Sequence, residues 1–153
     1  MNLLNFIFKK SQLRVDRFLG KMVYMPIGKE VGYFECMPVW EATGRPIEVA
    51  VTADKNTGPT SEQQKFFLQI QKDYAVWTVK TIPLIENALK YVDQAFKIRQ
   101  FSSEFDITYL SIPVIKEGEP VQWSASFSTI HDYNHEIEIT MLDFRPQHIQ
   151  IDG

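Results

Sequence analysis

The sequence predicts an α+β fold: an antiparallel sheet with a central pair of helices packed on one face. Three observations predict it. Residues 61–98 place Phe67, Ile70, Tyr74, Trp77, Leu84, Ala88, Val92 and Ala95 near the helical period, with Phe66, Ile85, Leu89 and Phe96 widening the stripe. Segments on both sides of that stretch alternate apolar and polar residues, the period of a half-buried strand. The chain also has enough apolar material for one core, since 44% of its 153 residues are hydrophobic and 13% aromatic. Strands in runs, with helices segregated between them, make an α+β rather than an α/β pattern. The length suits one domain, with residues 1–20 as a basic N-terminal arm and residues 21–153 as the body.

The elements follow in order. Residues 1–20 read as an arm with one short helix ending near Gly20. Residues 22–25 form a short strand stopped by Pro26 and Gly28. Residues 32–41 alternate imperfectly, and Pro38 points to an edge or a bulge. The turn Thr43-Gly44-Arg45-Pro46 leads into residues 46–53, where Ile47, Val49 and Val51 face inward, so the two segments form a hairpin. Thr60 with Gln63 is the signature of a capping box, and Ser61 with Gln64 is the neighbouring register. One unbroken helix over residues 61–98 would be roughly 57 Å long, too long for a domain of this size, so we expect helices over about 61–72 and 75–98, the second bent near Pro83.

Four strands come next. Residues 105–115 put Phe105, Ile107 and Tyr109 on one face, and residues 121–129 alternate Val121, Trp123, Ala125 and Phe127 against Gln122, Ser124, Ser126 and Ser128. After a connection at residues 131–134, residues 135–144 place Ile137, Ile139 and Met141 against Glu136, Glu138 and Thr140, and residues 148–151 close the chain with Ile149 and Ile151 inward. The solvent face of this sheet is then polar without strong charge.

Composition excludes several functions. The net charge is −3, with +4 on the first 21 residues and −7 on the rest. An acidic body does not suit the phosphates of nucleic acid. Cys36 is the only cysteine, so no internal disulfide and no cysteine zinc site can form, and a reducing cytoplasm is the natural compartment. The apolar run at residues 3–8 is followed rather than preceded by positive charge, unlike a secretory signal, and no stretch approaches a membrane span.

Candidate chemistry is sparse, and we expect no catalytic constellation and no cofactor. The weak metal candidates are His131, Asp132, His135 and His148, since imidazole and carboxylate ligands suit zinc or iron. The histidines at 131 and 135 would align on a helix, but they fall in a connection between strands, where that spacing does not make them converge. Asp54, Asn56 and Gly58 imitate the start of a calcium loop, yet Pro59 and Lys65 stand where glycine and glutamate are required. Cys36 reads as a core thiol, the serines near Trp123 lack a nucleophile elbow, and Glu35, Glu41, Glu136 and Glu138 read as solvated carboxylates. Trp40, Trp77 and Trp123 are core residues on this reading.

The order of signals carries a resemblance. It runs through Gly32-Tyr33-Phe34, Trp40, Ile47-x-Val49-x-Val51, Asp54-x-x-x-Gly58-Pro59-Thr60, Gln64-Lys65-Phe66, Trp123, His135-x-Ile137-x-Ile139 and Ile149-x-Ile151-Asp152-Gly153. Over residues 31–153 the chain resembles a group of small bacterial α+β domains of unknown function, among them suspected immunity proteins of toxin systems. The resemblance implies a fold and, more loosely, a protein-binding, toxin-neutralising role, but no catalytic residues. The alternatives are a small metal-dependent hydrolase built on the histidine cluster and an oligomeric module that uses its sheet edge.

Overall fold

A computed structural model describes residues 13–29 and 31–153. The described residues form ten strands and three α-helices, the helices falling between β6 and β7: β1 (Leu13–Asp16), β2 (Gly20–Pro26), β3 (Gly32–Cys36), β4 (Val39–Trp40), β5 (Arg45–Pro46), β6 (Glu48–Thr52), α1 (Ser61–Lys72), α2 (Tyr74–Ala88), α3 (Phe101–Glu104), β7 (Phe105–Ile112), β8 (Gln122–Thr129), β9 (Asp132–Leu142) and β10 (Arg145–Asp152). The fold is α+β, and its sheet is larger than the sequence suggests. Eight strands lie in the order β1-β2-β3-β6-β7-β8-β9-β10, while β4 and β5 form a separate ribbon. Every neighbouring pair is antiparallel except β6 with β7. That exception has a covalent cause: the chain between these two strands runs through the helices, and a crossover connection joins parallel rather than antiparallel neighbours.

The N-terminal strand corrects one expectation. Part of the presumed helical arm, Leu13–Asp16, is extended and pairs with β2 as the edge of the sheet. Residues 17–19 of the expected helix form a turn, and its part up to residue 12 lies outside the described residues. Asp16 organises the turn that follows, its carboxylate accepting from the N–H groups of Phe18 and Leu19.

Helix α1 starts where the capping-box signal places it. Thr60 accepts from the N–H of Gln63, and the Gln63 side chain accepts from the N–H of Thr60. Gln63 also donates to the carbonyls of Thr52 and Pro113, at 2.7 Å each. One buried amide thereby ties the helix start to the chain just after β7 and to the end of β6. The helix breaks at Asp73, and α2 ends at Ala88 with a short 3₁₀ turn over Leu89–Tyr91 rather than continuing to residue 98. Phe67, Ile70 and Trp77 are buried as the stripe requires, but Val92 lies beyond the helix and is 43% exposed.

The buried face of the sheet carries Met22, Tyr24, Phe34, Cys36, Val49, Val51, Ile107, Leu110, Ile112, Trp123, Ala125, Phe127, Ile137, Ile139 and Met141, in one cluster with Phe67, Ile70, Trp77, Ile85 and Leu89. Edge-to-face aromatic contacts run through it. Trp77 packs against Tyr74 and Trp123, Trp40 against Phe67 and Tyr74, and Phe66 against Trp123. Each such pair contributes roughly 0.5–1.5 kcal/mol beyond its buried area. A bulge at Thr108 shifts the register of β7 against β8. Beyond it the inward set becomes Leu110 and Ile112, and Tyr109, expected inside, turns to the opposite face.

Candidate functional site

Side chains alternate along strands, so the residues between the core positions share the other face. Cross-strand pairing places Glu48 opposite Tyr109, Tyr109 opposite Ser126, and Ser126 opposite Glu138, a row running over four strands, and Glu35 stands in the next row, opposite Ala50. Glu136 stands two positions from Glu138 on the same face of β9 and accepts at 2.6 Å from the hydroxyl of Thr108, the bulged residue. The face therefore carries Glu35 and Glu48 besides the expected Gln122, Ser124, Ser126, Ser128, Glu136, Glu138 and Thr140.

The carboxylates feel one another. Partial desolvation pushes the pKa of Glu48 above the usual carboxylate value, and the charges of Glu35 and Glu136 push it further. The Tyr109 phenol is also raised, first by desolvation and then, against a bond with Ser111, by Glu48, Tyr33 and Glu138. Among the described residues no ion pair engages Glu35, Glu48, Glu136 or Glu138. At one flank Glu35 borders a groove of about 640 Å³ lined by Phe18, Val23 and Met37 with Arg17 and Lys21.

The four sequence candidates for a metal do not form one cluster. The β8–β9 hairpin turns at Ile130-His131, because Thr129 pairs with Asp132. His131 points its Nε2 to Glu104, at 2.6 Å. Asp132 instead accepts from the Tyr91 hydroxyl at 2.5 Å and contacts His135 Nδ1 at 2.7 Å. His148 sits on β10 opposite Thr140. Among the described residues no group of three His, Cys, Asp or Glu side chains is placed to hold a metal ion.

Glu104 is the residue that sequence reasoning missed. It is buried at the end of α3. Its carboxylate accepts from the N–H groups of Arg99 and Gln100, and its carbonyl accepts from the Thr129 hydroxyl and the Ile130 N–H. Burial pushes its pKa up, but the Gln100 and Arg99 amides and the His131 ring outweigh this and hold it below the usual range. His131 packs edge-on against Phe96, 4.8 Å between ring centroids, at the wall of a cleft of about 620 Å³ that also takes in Arg99 and Ser103. No local pattern marks Glu104, since its partners come from a neighbouring loop and from a distant hairpin.

Asp54 explains the calcium-like spelling of its loop: its carboxylate accepts from the N–H groups of Asn56 and Thr57, and Gly58 follows at φ 73°. Cys36 is buried, its Sγ lies 3.4 Å from the Val49 carbonyl, and burial, then Asp16 and Glu35, push its pKa up to about 12. This is a packing residue and not a nucleophile. No helix among the described residues is long and apolar enough to cross a membrane.

No protein-family model, curated protein or solved structure matches the chain.

Proposed function

We propose that the protein is a non-enzymatic, protein-binding domain that presents its acidic sheet face to a basic partner. In this reading α1 and α2 roof one face of the sheet and leave the other free for docking. The single observation that carries it is the placement of Glu35, Glu48 and Glu136, none of them ion-paired among the described residues, on three strands of one face. Like charges held together cost stability in the free protein, and a cationic surface laid over them relieves that cost while speeding encounter. The resemblance to suspected immunity proteins, confined to residues 31–153, supports a toxin-neutralising role in a bacterial cytoplasm, with a basic toxin as the partner.

The test is capture from the source cell by the full chain and by Glu48→Lys with Glu136→Lys. The reading expects one predominant basic protein, retained at physiological salt, released at high salt and lost with the charge-reversed chain. A capture experiment that retains nothing at physiological salt, or that retains the same protein on both chains, refutes it. The Glu104–His131 pair in its cleft favours a second reading, a small hydrolytic site, but its hydrogen bonds join backbone segments in the manner of a structural tie.

A further inference from the structure

Strand β10 ends the sheet, and its outer edge is unpaired among the described residues. A bulge at Gln147 fixes which side chains share a face. Arg145, His148, Gln150 and Asp152 stand opposite Leu142, Thr140, Glu138 and Glu136, and Pro146, Ile149 and Ile151 stand opposite Met141, Ile139 and Ile137 of the core face. Counted along the ladder past the bulge, Arg145 and Asp152 are equally far from Ile149.

We propose that this edge pairs with β10 of a second copy of the chain, antiparallel, about a two-fold axis through Ile149 and perpendicular to the sheet. An antiparallel pair must match residues of the same face. This register does so throughout: Ile149 meets Ile149, His148 meets Gln150, Pro146 meets Ile151, and Arg145 meets Asp152 at both ends. A two-fold interface must be self-complementary, and a strand with a cation at one end and an anion at the other meets that demand.

The local electrostatics favour this occupant. Asp152 lies directly opposite Glu136, a like-charge cross-strand pair, and among the described residues only the Gln150 amide, at 2.8 and 3.0 Å, attends its carboxylate. Arg145 makes no ion pair among the described residues. The second copy supplies each with its opposite. Pro146 offers no N–H to a partner, and it sits near the end of the paired run, where that omission is tolerated.

This inference does not depend on the identity of any basic partner. Sedimentation of the full chain from micromolar to several hundred micromolar, at physiological salt, tests it. The expected result is a reversible dimer whose dissociation constant rises by about tenfold for Arg145→Asp or Asp152→Arg alone and returns toward the original in the double exchange, since each pair occurs twice. Both residues are exposed, so neither substitution threatens folding. A monomer at all these concentrations overturns the proposal, and so does a dimer indifferent to either single reversal.

Discussion

Replacing Gln63 by alanine tests how the two halves of the sheet are held in register. Gln63 is 1% exposed. Its amide makes three hydrogen bonds, donating to the carbonyls of Thr52 and Pro113 and accepting from the Thr60 N–H. Thr52 closes β6, and Pro113 follows β7, the strand parallel to it. Truncation removes three bonds of about 1 kcal/mol each and leaves buried polar groups without partners, each costing about 1–3 kcal/mol where water does not enter. The expected loss is about 3–5 kcal/mol, read as a lower urea midpoint at unchanged slope. Gln64→Ala is the control. Gln64 makes one bond to Asp16, at 2.6 Å, and its loss is expected to cost about 1 kcal/mol or less. A cost below about 1 kcal/mol for Gln63→Ala, or equal costs for the two variants, would refute the reasoning.

Other outcomes follow from the same contacts. The Glu104 pKa is depressed in the folded chain, so its contribution is present above about 4.5 and is lost as pH falls through the folded value. A pH series of unfolding midpoints should therefore show an acid loss in the native chain that is smaller in Glu104→Gln. Trp77 donates its indole N–H to the Ile70 carbonyl at 3.0 Å, whereas the buried Trp40 Nε1 has no partner among the described residues. Trp77→Phe should thus cost about 1 kcal/mol more than Trp40→Phe in chemical denaturation, and equal costs would remove the assigned role of the indole bond. Cys36 should resist a thiol reagent at neutral pH in the folded chain and react fully in denaturant, since burial and its pKa near 12 disfavour the thiolate. Rapid labelling of the native protein would contradict its placement.

How far the fold was legible varied from residue to residue. The capping box Thr60–Gln63 was readable because its signal is local, and so was the alternation of Trp123, Ala125 and Phe127 in β8. The side of Tyr109 is not legible, because a one-residue bulge reverses every later side chain without any mark in composition. Four residues carry too little periodicity to mark Leu13–Asp16 as a strand, and pairing with β2 decides their conformation. The candidate site was less legible still. His131, Asp132 and His135 are neighbours in sequence, yet the hairpin turn sends His131 to Glu104 and leaves Asp132 to His135 and Tyr91.

The sequence by itself determined the class of fold, the main helix boundary at Thr60, the aromatic core and the acidic balance of the body. These follow from residue type and short-range spacing, which act before any tertiary contact forms. Only the tertiary structure decided the parallel junction of β6 with β7, the burial of Glu104 beside His131, and the gathering of Glu35, Glu48 and Glu136 on one face. Each of these joins residues far apart in the chain, and such partners are chosen by strand order and register rather than by local preference.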